Sequence, residues 1–167
     1  MTYWIVPWNK AIFNLDAAIS RFGGIEWHQW NNYEVGDSVF IYCTKPTGAL
    51  VYEMDVIAVN LKLSEVIWDD EEFYSKDIEW VKEPPKGFAR FKLLRILDNS
   101  NGDLSHEKLV ENGMPYSVQA PIKVKPNLLG YILKNIKYSI FPKNDTVISR
   151  MHVASLKRVG RKWNFKL

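Results

Sequence analysis

The stretch from Val35 to Leu63 constrains the fold of this chain more than any other. Val35-Gly36-Asp37 has the composition of a turn, Ser38 to Thr44 is an unbroken apolar run of strand length, and Lys45-Pro46-Thr47-Gly48 is a second turn. A long extended stretch follows from Ala49 to Leu63, dominated by Val51, Val56, Ile57, Val59 and Leu61. Two such runs joined by a short turn predict an antiparallel hairpin. The first of them, apolar almost throughout, predicts a buried strand.

The flanking segments extend this pattern. Thr2 to Pro7 reads as a first strand closed by proline, and Phe88 to Ile96 as another whose alternation is imperfect. Leu15, Ala18, Ile19 and Phe22 recur at helical spacing behind Asn14, a good N-cap, and Gly23-Gly24 stops the helix. Ser105 to Glu111 predicts a short helix ended by Asn112-Gly113, and Pro126 to Leu133 another that begins with proline in its first turn. Between Ser64 and Lys86 the chain is acidic and ends in Pro84-Pro85, which predicts an irregular surface insertion with one helical turn near Asp69 to Tyr74. Strands with short helices between them, without a regular strand and long-helix alternation, predict an α+β domain around a curved or closed sheet. A parallel doubly wound fold is excluded.

Charge divides the chain. From Lys137 to Leu167 eight Lys and Arg face one acid, Asp145, which leaves fourteen basic and eighteen acidic residues in 1–136. The body carries −4 and the tail +7, so we expect one domain over 1–136 and a basic C-terminal extension over 137–167, packed on or beside it. Short strands are expected at Val147 to Met151 and Trp163 to Leu167. Such a split suits an anionic partner, nucleic acid above all, or else a solvated basic tail. The single cysteine, Cys43, has no partner for an internal disulfide, and no apolar run approaches the length that spans a bilayer. Both fit a cytoplasmic protein that does not engage a membrane.

Enzyme signatures are sparse. There is no phosphate-binding Gly-x-x-x-x-Gly-Lys-Ser/Thr loop, no Gly-x-Gly-x-x-Gly, no Gly-x-Ser-x-Gly and no His-Glu-x-x-His. His28, His106 and His152 have no ligand spacing, and Asp69-Asp70-Glu71-Glu72 reads as a solvated acidic face. We therefore expect no metal and no cofactor.

Aromatic residues supply the positive signal. Of seven tryptophans, Trp4, Trp8, Trp27 and Trp30 fall in the first thirty residues, and the last two bracket His28 and Gln29 on what reads as a loop. Such residues are either core or the walls of a pocket for something flat. A nucleobase gains about 1–3 kcal/mol by stacking on an aromatic side chain, and amides can donate and accept at its edge.

Particular motifs resemble the EVE domain, a branch of the PUA-like superfamily. They are Trp4-Ile5-Val6-Pro7 with Asn9, Phe13-x-Leu15-Asp16, Ile25-x-Trp27-x-Gln29, Val35-Gly36-Asp37-x-Val39-x-Ile41-Tyr42 and Lys45-Pro46. Ala89-Arg90-Phe91-x-Leu93, Leu104-Ser105-x-x-Lys108-Leu109 and Gly113-x-x-x-x-Val118-Gln119-x-Pro121 resemble its second half, so the likeness spans about residues 2–135. It implies a PUA-like curved β-barrel flanked by short helices, related to the YTH domains that read N6-methyladenine in RNA. It further implies a non-catalytic module for DNA or RNA that holds a flipped, modified base in an aromatic-walled pocket, in bacterial relatives beside a nuclease or helicase.

In that scheme Trp27 is the first cage aromatic, Asn9 and Gln29 meet the base edge, and Trp30 and Tyr42 form a second wall. Trp8 stands where a small residue is commoner, and either narrows the pocket or adds a wall. Lys45 would meet a phosphate. Where relatives carry a Gly-Pro-Arg-Arg run, this chain has Ala120-Pro121-Ile122-Lys123. Lys123 and the tail residues Arg158, Arg161 and Lys162 are then the candidates for backbone contact. Two other readings accompany this one. The neighbouring ASCH branch includes small hydrolases that act on modified nucleosides through a lysine, an acid and a hydroxyl, which Lys45, Glu53 and Thr44 could imitate. A general nucleic-acid or protein interaction module with a degenerate pocket is the other.

Overall fold

In the computed structural model, which describes residues 1–75 and 84–138, the predicted hairpin forms the centre of a mixed sheet. Its strands are β1 (Tyr3–Trp8), β2 (Gly24–His28), β3 (Ser38–Cys43), β4 (Ala49–Leu61), β5 (Phe88–Asp98), β6 (Ile122–Lys123) and β7 (Lys137–Tyr138). The helices are α1 (Leu15–Phe22), α2 (His106–Glu111) and α3 (Pro126–Asn135). Pairing runs β2-β5-β4-β3-β1-β6, with β7 joined to β5. Among the described residues only β1 and β3 are parallel, from Tyr3 opposite Ser38 to Trp8 opposite Cys43; the other named pairs are antiparallel.

β3 is buried at all six positions because it lies between β4 and β1 and both faces of the sheet are covered. On one face Trp4, Val6 and Trp8 of β1, Val39 and Ile41 of β3 and Met54 of β4 pack with Leu15, Ala18 and Ile19 of α1. On the other, Ile5, Phe40, Tyr42 and Leu50 pack with Leu109 of α2 and Leu128 and Ile132 of α3. A strand covered twice has no need to alternate, which is why Ser38–Cys43 reads as one apolar run.

The helix punctuation acts as its residue types require. Asn14 Oδ1 accepts from the Ala17 N–H, and Gly23 ends α1 in the left-handed region at φ 72°. Irregular pairing between β4 and β5 after Glu53, Val56 and Ala58 bends the sheet and accounts for the imperfect alternation of β5. The acidic insertion forms short 3-10 turns at Leu63–Glu65 and Glu71–Phe73. It is tied down by buried Glu26, whose carboxylate accepts from the N–H groups of Ile67 and Trp68 and pairs with Arg90.

One expectation changes. Trp27 and His28 belong to β2 and not to a loop, because Ile25 to His28 pair with Phe91 to Phe88 of β5. At the head of the basic segment, Lys137 and Tyr138 pair with Asp98 and Leu97. The strands expected at Val147 to Met151 and Trp163 to Leu167 lie outside the described residues.

Gly24, the first residue of β2, is packed between β5 and the insertion. A Cβ there would lie 2.3 Å from the Phe91 carbonyl oxygen and 2.8 Å from the Trp68 ring. Since backbone cannot yield as a side-chain tip does, Gly24→Ala is expected to cost about 1–3 kcal/mol in denaturant melts. An unchanged midpoint would contradict this strand packing.

Candidate functional site

The parallel pair places the ends of β1 and β3 side by side, and a cavity of about 720 Å³ opens there. Pro7 and Trp8 end β1 and Asn9 follows; Thr44 and Lys45 follow β3, with the Thr44 N–H bonded to the Trp8 carbonyl at 2.9 Å. Trp27 and His28 bring the end of β2 to the same cavity. Its far side is His106, the first residue of α2, and the connection Tyr116 to Gln119 that precedes β6. Among the described residues, Trp8, Phe13, Trp27, Tyr42, Tyr74 and Tyr116 give it six aromatic side chains, and Lys45 is the one formal charge, with no carboxylate in the lining.

Trp27 is half-buried. One edge packs on the first core cluster, with its ring centroid 6.1 Å from Phe13 in a T-shaped contact, and the remainder borders the cavity. Core and pocket, posed as alternatives by the sequence, are here two sides of one ring. Trp8 is only 2% exposed, and its indole N–H donates to the Phe13 carbonyl at 2.8 Å, so it forms a floor with no free polar atom. Asn9 is exposed; its Oδ1 accepts from Ala11 N–H at 2.9 Å and shapes the turn after β1. Its amide nitrogen makes no hydrogen bond among the described residues. Tyr42 is 4% exposed, with its hydroxyl oxygen 2.8 Å from His106 Nδ1.

Three expected site residues stand elsewhere. Gln29 is buried, and its side chain is fully engaged: Nε2 donates to the Asn31 carbonyl and to Asn60 Oδ1, and Oε1 accepts from the Asn60 N–H at 2.7 Å. These bonds fix Asn60 at φ 56°, a conformation asparagine tolerates better than most residues. Trp30 is 55% exposed and meets His28 edge-on at 6.2 Å, but does not line the cavity. Lys123 sits on β6 over the Trp4 ring, 5.2 Å from its centroid, and is also outside the lining. Arg158, Arg161 and Lys162 lie outside the described residues. Glu53, expected beside Lys45 and Thr44 in the hydrolase reading, does not line the cavity; it is buried on β4 beside Arg95 at 3.3 Å.

The structure also adds residues that sequence reasoning missed. His28 closes β2, where the chain leaves the regular ladder, and lines the cavity beside Trp27. Burial holds its imidazole below the usual histidine range, so it is neutral at neutral pH. Gln119, visible only as part of the second-half motif, is the glutamine that reaches the cavity; its Nε2 donates to Ser117 Oγ at 3.0 Å. Tyr116 is 74% exposed between buried Met114 and Val118, and its ring meets His106 edge-on at 5.2 Å. Burial, with a smaller effect of the Glu107 carboxylate, pushes the Tyr42 phenol above the usual tyrosine range.

The mixed sheet, with its parallel pair and helices on both faces, is an α+β fold. No protein-family model and no curated protein sequence matches the chain. Among solved structures it is similar to an ASCH protein from Zymomonas mobilis, at 9% identity and TM-score 0.53 over 82% of this chain and 97% of that one. Rpa0253 from Rhodopseudomonas palustris is similar at 14% identity and TM-score 0.53, over 80% of this chain and 92% of that one. Human THYN1, solved in complex with DNA containing 5-methylcytosine, has 11% identity and TM-score 0.46, over 80% and 96%. At these identities the first two likenesses establish the fold alone.

Proposed function

We propose that this chain is a non-catalytic nucleic-acid-binding module that takes a flipped, modified base into the cavity at the ends of β1 and β3. The observation that carries the reading is the lining itself. Aromatic side chains of Trp27, Tyr74 and Tyr116 and amides of Asn9 and Gln119 line one space of about 720 Å³, within the range of small-molecule sites. Extruding a base costs a few kcal/mol, which stacking and edge hydrogen bonds offset. Lys45, exposed on the turn after β3, is placed to meet the phosphate of the same nucleotide. The base-contacting set is therefore Trp27, Asn9, Gln119, His28 and His106 over a Trp8 floor, and Gln29 holds the fold behind it.

The test is a panel of short single- and double-stranded DNA and RNA oligonucleotides carrying N6-methyladenine or 5-methylcytosine, each against its unmodified twin, read by fluorescence anisotropy. We expect at least one modified oligonucleotide to bind about tenfold more tightly than its twin, the scale of one stacking or edge contact. Equal binding to all, weakening steeply with salt, would instead fit an interaction module that reads phosphates only. The hydrolase reading draws on Thr44 and Lys45, which do line the cavity. Turnover of N4-acetylcytidine by the full chain would favour it over binding alone.

A further inference from the structure

The cavity wall opposite Trp27 contains a hydrogen-bond relay that no sequence motif announced. His106 is 9% exposed and rigidly mounted: its main-chain N–H donates to the Gly48 carbonyl at 2.6 Å, while Nδ1 lies 2.8 Å from the Tyr42 hydroxyl. The direction of that second bond decides what the imidazole offers a ligand. Tyr42 is 4% exposed, and its hydroxyl has no other partner among the described residues. A buried O–H left without an acceptor is costly, so the phenol proton goes to Nδ1. The phenol remains protonated, since burial opposes its ionisation. Nδ1 is then the accepting nitrogen, and the ring N–H is at Nε2.

Nε2 has no protein partner among the described residues, and it is not among their buried unpartnered atoms. It is therefore the open atom of a histidine that lines the cavity. We propose that His106, oriented by Tyr42, is a specificity-determining donor that reads an acceptor atom, a ring nitrogen or carbonyl oxygen, on the edge of an uncharged base. This inference rests on the base-reading function above and narrows it. The restriction to uncharged bases follows from the lining, where, among the described residues, Lys45 is the one formal charge and no carboxylate offsets a cationic ring. A cationic base such as N7-methylguanine would bring a second positive charge into a partly desolvated space.

Two measurements test this on the full chain. The first needs no ligand: long-range imidazole 15N NMR of histidine-labelled protein should show His106 with a pyridine-type Nδ1 and a pyrrole-type Nε2. In Tyr42→Phe the two tautomers should mix. The opposite tautomer in the wild type would overturn the proposal. The second uses the oligonucleotide that the panel selects. His106→Leu should weaken its binding about tenfold, and His106→Gln, which retains a donor, should recover most of that loss. Tyr42→Phe should weaken it less than His106→Leu, and the N7-methylguanine version should bind no better than its unmodified twin. Thermal melts of each variant separate lost contact from lost fold. Wild-type affinity in a folded His106→Leu protein would refute the role of His106 and leave the base-reading function standing. If the wild type prefers no modified oligonucleotide, both fall together.

Discussion

Asp37→Ala should lower the melting temperature by about 10 °C, the largest stability loss expected of any single substitution considered for this chain. Asp37 is 2% exposed and closes the turn that feeds β3. One oxygen accepts from the Thr2 main-chain N–H at 2.6 Å, and the other from the Trp4 indole at 3.0 Å and the Glu34 N–H at 3.1 Å. Its own carbonyl accepts from Val56 N–H at 2.9 Å, so a single residue joins β1, β3 and β4. Removing the carboxylate leaves three donors without an acceptor. Together they cost about 3–5 kcal/mol, less than three separate hydrogen bonds to a charged group because neighbouring losses do not add. For a chain of this size that corresponds to roughly 10 °C.

The same carboxylate predicts a pH dependence. Burial alone would raise its pKa, but the bonds from Trp4, Thr2 and Glu34 and the nearby N-terminal charge bring it below the ordinary 3.8. Its stabilisation is present in full above the unfolded value of 3.8 and is lost as the pH falls through the lower folded value. Asp37→Asn, which keeps the shape without the charge, should therefore differ most from wild type at neutral pH and converge with it as the pH falls below 3.8 and through the lower folded value. Denaturant melts at pH 7 and pH 3 measure this, and parallel curves would contradict it.

Local chemistry made much of the fold legible. The β3 run, the Asn14 cap, the left-handed Gly23 and Pro126 at the head of α3 each follow from a residue type acting on its immediate neighbours. The site was legible in part for the same reason. Trp8, Asn9, Tyr42 and Lys45 lie at or just beyond strand ends that the pattern located, whereas the strand that carries Trp27 read as a loop. What failed was every inference that needed to know which polar group a side chain already serves. Gln29 and Gln119 are both glutamines next to short strands, and only the distant Asn60 shows that the first is engaged. His106 has no local signal, because its partners Tyr42 and Gly48 come from the other side of the sheet hairpin. The imperfect alternation of β5 concealed the end of β2, and with it the position of His28.

Trp27→Leu should weaken binding of the preferred modified oligonucleotide between tenfold and a hundredfold while the protein stays folded. Stacking of one base on one aromatic face is worth about 1–3 kcal/mol, which sets that range. Trp27→Ala is the less informative variant. The ring also packs on the first core cluster and on Phe13, so its full truncation should cost about 2 kcal/mol of stability, below the cost for a fully buried tryptophan. Leucine restores much of the apolar contact but offers no flat face to a base, and Trp27→Tyr restores the face with a smaller ring. The order of affinities should therefore be wild type, then Trp27→Tyr, then Trp27→Leu, while Trp27→Ala is distinguished from Trp27→Leu mainly by its lower melting temperature. Equal affinity of wild type and Trp27→Leu would mean that the ring serves the core alone. The base would then have to stack on Tyr74 or Tyr116, the other cavity aromatics less buried than Trp8, Phe13 and Tyr42. Because Tyr116 is 74% exposed and Trp27 half-buried, only Tyr116→Ala would then reduce affinity without a matching loss of stability.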